Sequence, residues 1–227
     1  ANYVLFVNYE DYFADIKRIC AETPTEPVHF FSGYDCDSLA LEPVSHFAEA
    51  FVPLIQSLPN AWMELRTKST QVRYLLEIPA FDRCIIAFSF TPEEIASTLE
   101  HKAPAINKRL DALLKLQAHG WPIGLRFDPI IYEDDYQTHY QVLFKLVFAK
   151  IDPKSLHSVS LGVFRLPDNY FKKIHKLYPE EKLFASPLES QQGMMSYKAE
   201  LETEMMQFCS SELLTYITEE QFFPCSL

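Results

Sequence analysis

Polar side chains lie at or near the carboxyl ends of the predicted strands of this chain. The residues concerned are Ser32, Lys68, Ser89, Arg126, Asp128 and Arg165. A lysine in such a place can pair with a carboxylate, hold a phosphate group or form a Schiff base with a carbonyl compound. The residue types alone leave these three chemistries open.

The elements that must position these residues alternate between strands and helices. Strands are predicted at 28–31, 61–66, 84–90, 122–127 and 158–164. Amphipathic spacing predicts helices between most of them, and such alternation is typical of parallel strands with helical crossovers. An open doubly wound sheet and a barrel both satisfy this pattern. Because barrel enzymes build one site from the carboxyl ends of several strands, we expect an α/β fold of the barrel kind, as one domain over residues 1–227.

Local signals predict several boundaries of these elements. Apolar spacing predicts a helix over 104–119, and Gly120 is suited to cap its carboxyl end. The run Thr91-Pro-Glu-Glu predicts a capping box at the start of another helix. The pair Asp128-Pro129 is expected to end the strand over 122–127.

Composition and charge argue against several function classes. The formal net charge is −11, which disfavours indiscriminate binding of nucleic acid. The five cysteines have long, irregular spacings without a CxxC pair, and the seven histidines form no zinc motif. No apolar run reaches the eighteen or so residues of a membrane span, and no signal-peptide pattern is visible. We therefore expect no membrane association and a cytoplasmic location.

One segment departs from the acidic average. Residues 170–178 interleave lysines with aromatic side chains, and such a patch can grip a phosphate backbone and stack on bases. A helix with a solvated basic face is the simpler interpretation. Glu180 and Glu181, which follow directly, weaken the basic character.

Several motifs, taken together and in this order, resemble the spore photoproduct lyase family of radical S-adenosylmethionine enzymes. They are SGYDCDSLALE (32–42), ELRTKS (64–69), AFSFTPEE (87–94), EHKAPAINKRLDALLKLQAHGWPIGLRFDPII (100–131) and YPEEKLF (178–184). The resemblance implies a partial TIM barrel of (β/α)6-like, radical SAM type. It also implies S-adenosyl-L-methionine and a 4Fe-4S cluster as cofactors, and a reductant such as flavodoxin or ferredoxin. It also implies a lyase that reverses a thymine dimer in DNA by radical hydrogen abstraction.

The resemblance suggests a role in cofactor binding for five residues. Lys68 matches a lysine that contacts the methionine carboxylate, and Ser89 matches a serine near the ribose and methionine. Asp128 matches a position whose backbone lies near the adenine. Ser32 and Gly33 match the loop that receives the cofactor's amino group.

The resemblance also points to residues on the substrate side. Tyr34 occupies the place where the spore enzymes have a cysteine that returns a hydrogen atom to the product radical, and Cys36 is two residues further on. We treat both as catalytic candidates. Arg126 and Lys198 are candidates for substrate contact.

The chain departs from the family pattern at the cluster ligands. The family uses a CxxxCxxC triad because such a cluster requires thiolates, and the 227 residues contain no such triad. We expect the triad upstream of Ala1, since the chain begins without Met and the family's triad precedes the segment that matches Tyr3–Asn8. The alternatives are a cluster-free barrel that binds a ligand or partner, and a Schiff-base lyase that uses Lys68.

Overall fold

The computed structural model describes residues 5–33 and 36–225. The α-helices are α1 (Tyr9–Glu22), α2 (Glu42–Ser45), α3 (Phe47–Ser57), α4 (Arg73–Glu77), α5 (Glu93–Leu99), α6 (Ile106–His119), α7 (Tyr136–Phe148), α8 (Asp168–Leu177) and α9 (Ala199–Leu213). The β-strands are β1 (Val28–Ser32), β2 (Ala61–Thr67), β3 (Cys84–Ser89), β4 (Ile123–Ile130), β5 (Leu156–Val163), β6 (Arg165–Pro167), β7 (Leu188–Gln191), β8 (Met194–Tyr197) and β9 (Phe222–Cys225).

The chain divides into two compact units. The first comprises Ala1–Ser89 and Ala103–Gly124, and the second comprises Phe90–Lys102 and Leu125–Leu227. The single domain predicted over residues 1–227 stays a prediction. No helix among the described residues has both the length and the apolar character that crossing a membrane requires.

The first unit contains the parallel strands β1, β2 and β3, with β2 in the middle. All six residues of β3 are buried, as expected for a parallel strand covered on both faces. Helix α3 packs on β2 and β3 through an apolar stripe that includes Phe51, Val52 and Ile55. The predicted cap of α6 is confirmed, because Gly120 has a positive φ of 100° and its N–H donates to the last carbonyls of the helix.

The second unit combines parallel and antiparallel strands. Strand β5 lies between β4 and β9 and is parallel to β9. Strands β6, β8 and β7 form a small antiparallel sheet, and Gln192 and Gly193 make the tight β7–β8 turn with positive φ angles of 51° and 83°. Two consecutive positive φ angles are typical of the hairpin turn that fits the twist of its strands. The hairpin and β9 were not predicted.

Two of the predicted boundaries are wrong. Strand β4 does not end at Asp128-Pro129 but continues to Ile130, whose carbonyl accepts a hydrogen bond from the Phe164 N–H at 3.1 Å. A proline interrupts a strand only where its missing N–H is needed. The capping box is also wrong, because α5 begins at Glu93 and its start has no side-chain cap.

Two buried tyrosines hold the segment that follows β4. The Ile131 N–H donates to the phenol oxygen of Tyr140, and the Tyr132 N–H donates to that of Tyr197, each at 2.8 Å. Both tyrosines have 0% exposure. Burial raises the pKa of both phenols above the ordinary value, since a phenolate at either place would lose its hydration.

These raised pKa values predict a loss of stability in alkali. The unfolded tyrosines lose their protons near pH 10, whereas the folded ones keep them to higher pH. The stabilisation is therefore complete below pH 10 and declines as pH rises from there through the folded pKa. We expect the free energy of unfolding, measured by urea titration between pH 8 and pH 11, to fall above pH 10.

The Tyr140→Phe variant tests the cause of this decline. It should be less stable than wild type at pH 8 by about 1–3 kcal/mol, because the buried Ile131 N–H loses its acceptor, and its decline above pH 10 should be shallower. Tyr216→Phe is the control, since Tyr216 stacks on Phe148 with ring centroids 4.6 Å apart and the ring is kept. Equal slopes in wild type and Tyr140→Phe would contradict the explanation.

Candidate active site

The loop after β1 lies against the end of β2. Gly33 has a positive φ of 80°, and a Cβ built on it would lie 2.6 Å from both the Arg66 carbonyl oxygen and the Ser38 Oγ. Ser38 also holds this loop against β2. Its N–H donates to the Arg66 carbonyl at 3.0 Å, and its hydroxyl donates to the Ser32 Oγ at 3.1 Å. A glycine is therefore required at this point.

The carboxylate of Asp37 organises this loop. Its Oδ1 accepts from the N–H groups of Leu39 at 2.9 Å and Ala40 at 2.8 Å, and from the Thr67 hydroxyl at 2.7 Å. Its Oδ2 accepts from the Lys68 N–H at 2.6 Å. One side chain thus joins the loop after β1 to the end of β2, by hydrogen bonds that the carboxylate charge strengthens.

The residues that follow β2 form a chain of hydroxyl-supported turns. The Ser69 N–H donates to the Thr67 hydroxyl at 2.8 Å, and the Gln71 N–H donates to the Ser69 hydroxyl at 3.1 Å. These contacts, together with Asp37, fix the backbone on both sides of Lys68, whose side chain is half-buried. The hydroxyls of this segment therefore set the direction in which the lysine leaves the strand.

Ser89 is the last residue of β3 and lies at the same height along the sheet as Lys68 after β2. The register pairs Thr67 with Phe88, so Lys68 and Ser89 are the next residues on adjacent strands. Ser89 is buried, and its carbonyl accepts from the guanidinium of the buried Arg109 at 3.2 Å. The first unit thus brings Ser32, Gly33, Lys68 and Ser89 to the same end of three neighbouring strands, as predicted for a strand-end site.

In the second unit, Asp128 pairs with Arg165. The guanidinium donates to Oδ1 of Asp128 at 3.1 Å and to Oδ2 at 3.3 Å, which is the two-pronged geometry that suits arginine. A Cβ at Gly162 would lie 2.8 Å from the Arg165 Nη1, so the pair occupies the space that a side chain there would take. The backbone role suggested for Asp128 stays a prediction.

Arg126 is buried against β5. Its guanidinium donates to the Ser158 carbonyl at 3.2 Å and to the Ser158 hydroxyl at 3.0 Å. It also donates to the Leu125 carbonyl at 2.9 Å. These bonds give the side chain a structural role in the second unit, and the predicted substrate contact stays a prediction.

The remaining site predictions fall on exposed or undescribed positions. Cys36 is exposed, and Lys198 is exposed at the residue before α9, where its N–H donates to the Pro187 carbonyl at 3.1 Å. Tyr34 lies outside the described residues. The structure therefore adds no contact that supports a catalytic role for Cys36 or Tyr34, and both roles stay predictions.

Two residues of interest were missed by the sequence analysis as site candidates. Asp37 precedes a turn in the run Asp-Ser-Leu-Ala, a position where aspartate commonly accepts backbone N–H groups, so that signal was available. Ser160 is buried, and its hydroxyl has no hydrogen-bond partner in the part of the chain that the structure describes. A serine within a strand gives no comparable signal.

The cysteines of this chain do not fit an iron–sulfur cluster. Burial raises the pKa of the Cys84 and Cys209 thiols to about 12, which disfavours the thiolate that a cluster needs. Within residues 5–33 and 36–225, no group of three or more His, Cys, Asp or Glu side chains lies close enough to hold a metal ion. Ligands for a cluster are thus not provided by the described part of the chain.

Comparison with known proteins decides the family. A family model described as spore photoproduct lyase matches residues 2–213. The chain belongs to the spore photoproduct lyase family. This membership confirms the resemblance inferred from the sequence motifs.

The curated relatives are distant and longer. A spore photoproduct lyase from Geobacillus sp. (strain Y412MC61) is 21% identical over 194 residues, which cover 86% of this chain and 56% of that protein. One from Bacillus subtilis (strain 168) is 22% identical over 183 residues, which cover 78% of this chain and 53% of that protein. The chain therefore spans about half the length of the curated relatives it matches.

Solved structures of spore photoproduct lyase confirm the fold. One mutant matches with a TM-score of 0.86 at 18% identity, covering 97% of this chain and 68% of that one. A second mutant, with bound AdoMet and dinucleoside spore photoproduct, matches with a TM-score of 0.85 at 18% identity. This match covers 96% of this chain and 66% of that one. The predicted α/β fold, a partial TIM barrel, is thereby confirmed.

The Gly33→Ala substitution tests the close approach of the loop to β2. We expect it to lower the free energy of unfolding by more than about 1 kcal/mol, since left-handed strain of that order is joined by two 2.6 Å contacts. Gly120→Ala is the control, because Gly120 also has a positive φ but its nearest such contact is 3.7 Å. Urea unfolding of both variants makes the comparison, and equal losses would show that the contacts carry no cost.

The Asp37→Ala substitution tests the carboxylate that joins the two strand ends. It removes the acceptor for four hydrogen bonds, three of them from buried or half-buried residues. We expect a loss of at least about 2 kcal/mol in the free energy of unfolding. Asp82→Ala removes the same charge from an exposed position of the first unit and should change stability by less than about 0.5 kcal/mol. A similar effect of both substitutions would indicate that charge alone matters.

Proposed function

We propose that the chain is the barrel part of a radical S-adenosylmethionine lyase that repairs a photoproduct in DNA. The family match over residues 2–213 carries this proposal. Family membership favours the lyase over a cluster-free binding module, because the relatives of known name are spore photoproduct lyases. Nothing beyond the lysine itself supports a Schiff-base lyase at Lys68.

Ser32, Gly33, Lys68 and Ser89, which we call the strand-end cluster of the first unit, have side chains and backbone suited to a small polar cofactor. S-Adenosyl-L-methionine supplies, when it is bound and reduced, the radical that abstracts hydrogen from substrate. Lys68 is suited to its carboxylate, since a lysine ammonium is a compact cation with three donors. Ser32 and Ser89 offer hydroxyls at the ends of the neighbouring strands, and Gly33 allows the loop after β1 to approach the end of β2. In the proposal these residues bind and orient the cofactor.

The cluster must be held by other residues. The described cysteines do not form the triad that a 4Fe-4S cluster needs, so the expectation of ligands upstream of Ala1 stays a prediction. The reductant, a flavodoxin or a ferredoxin, also belongs to the proposal, as does a cytoplasmic location. We derive no role in electron transfer for the residues of this chain.

The proposed substrate is a dimeric thymine lesion in DNA. One relative structure contains dinucleoside spore photoproduct, and we extend that ligand class to this chain as part of the proposal. Cys36, which is exposed, is the nearest thiol in sequence to the position of the family's hydrogen-donating cysteine. Arg126 and Lys198 are proposed only as secondary contacts, since Arg126 is held by Ser158.

The full-length gene product provides the test. It should contain a cysteine triad, and after anaerobic reconstitution with iron and sulfide it should show the visible absorbance of an iron–sulfur cluster. Reduction with dithionite should then form 5′-deoxyadenosine and reverse dinucleoside spore photoproduct. An open reading frame without a triad, or a loaded cluster without cleavage of S-adenosylmethionine, would refute the proposed function.

Replacement of Lys68 tests the proposed cofactor contact. In the Lys68→Ala variant we expect the dissociation constant for S-adenosylmethionine to rise at least tenfold, which corresponds to about 1.4 kcal/mol. The physical reason is the loss of a hydrogen bond between two charged groups. Calorimetric titration of the reconstituted protein measures the change. Lys17→Ala, at an exposed residue of α1, is the control, and equal affinities in the two variants would rule out the contact.

A further inference from the structure

Helix α8 carries a basic surface in an acidic chain. Lys172, Lys173 and Lys176 are all exposed, and Asp168 at the first position is the one carboxylate within the helix. The chain as a whole has a formal net charge of −11. Helix α8, with three lysines and one aspartate, therefore has a net positive charge in a chain that is negative overall.

The opposite side of α8 is anchored by aromatic contacts. The Phe171 ring stacks with His175 at 5.9 Å and meets Phe184 edge-on at 5.2 Å. The helix also packs on β6 and β8 of the small sheet. Because this side is held by the second unit, the three lysines are presented from a fixed helix.

The lysines are not used within the chain. Among the described residues, no carboxylate lies within ion-pair distance of Lys172, Lys173 or Lys176. The nearby Asp168 accepts a hydrogen bond from the Ser190 hydroxyl at 2.5 Å. The positive charges are thus available to a negatively charged partner.

Exposed aromatic residues flank the lysines. Tyr170 is 53% exposed and Tyr178 is 59% exposed, and tyrosine hydroxyls commonly hydrogen-bond to phosphate oxygens. Lys172 and Lys176 are one helical turn apart, or about 6 Å along the axis. In duplex DNA each strand has one phosphate per about 3.4 Å of axis, so a helix lying along a strand can place both lysines near separate phosphates.

We propose that α8 binds the phosphate backbone of duplex DNA through Lys172, Lys173 and Lys176. The proposal rests on the proposed function, which makes DNA the relevant polyanion, and it adds a surface that the strand-end cluster does not include. Lysines act here as point charges that displace condensed counterions. Such contacts hold the duplex without reading its sequence, as suits an enzyme that must find a lesion in any sequence context.

The test is the salt dependence of duplex binding by the chain. In the variant K172Q/K173Q/K176Q we expect weaker binding to a fluorescent duplex, and the slope of log K against log salt should become shallower by about 2 to 3, since each phosphate contact contributes about 0.9. The control is K17Q/K108Q/K115Q, which removes the same charge from exposed positions of α1 and α6. It should keep the wild-type slope within about 1.

Several outcomes would overturn the proposal. Equal slopes in the two triple variants would show that only net charge matters. Absence of duplex binding in the wild-type chain would refute the surface directly, and so would lysine-dependent binding to vesicles of anionic phospholipid without binding to DNA. The variants must unfold at the same urea concentration as wild type. If the triple variant does not, the single substitutions K172Q, K173Q and K176Q are measured in its place.

A small substrate separates this inference from the proposed function. The reconstituted full-length protein with K172Q/K173Q/K176Q should process dinucleoside spore photoproduct at the wild-type rate, because that ligand lacks a duplex backbone. Its KM for lesion-containing duplex should rise at least tenfold while kcat stays the same. Loss of turnover on the dinucleoside in wild-type protein would refute the proposed function alone, whereas unchanged KM for the duplex would refute the role of α8.

Discussion

The candidate site depends on one carboxylate that serves two strand ends. Asp37 accepts hydrogen bonds from its own loop and from Thr67 and Lys68, thirty residues further along the chain. Parallel strands do not place their following loops in register by themselves, because each loop leaves toward its own crossover helix. The Asp37 carboxylate connects the two loops, and its negative charge strengthens the hydrogen bonds that it accepts. Gly33 has no side chain and therefore allows the loop after β1 to approach β2 closely. The position of Lys68 is a consequence of these two residues.

The two units use their polar residues differently. At the strand ends of the first unit, backbone and hydroxyl groups hold the loop, and the lysine side chain is left half-buried. In the second unit, two arginines donate hydrogen bonds to residues of the same unit. The Arg126 guanidinium donates to Ser158, and the Arg165 guanidinium donates to Asp128. Buried charges of this kind are stable only when they are fully paired. Strand-end charge is therefore not in itself evidence of ligand binding, and each residue has to be judged by its partners.

The fold could be predicted because it rests on local patterns. The buried run of β3 and the glycine-capped helix α6 are specified by a few consecutive residues, and both were found as predicted. Several of the features that were missed depend on partners far along the chain, unlike the local β7–β8 hairpin. Strand β9 pairs with β5, some sixty residues earlier, and β4 continues past Pro129 because Phe164 needs the Ile130 carbonyl. Asp37 was overlooked because its partners at 67 and 68 become neighbours only after the sheet forms.

The tip of the β7–β8 hairpin has a consequence for how this chain can be modified. Gln192 and Gly193 supply the turn by backbone conformation alone, and a Cβ at Gly193 would meet nothing within 4 Å. Open loop tips of this kind tolerate insertions. The Gly193 carbonyl accepts from the Asp168 N–H at 3.0 Å, so the exposed Gln192 is the point of the tip where an affinity tag or a reporter peptide could be accommodated by engineering.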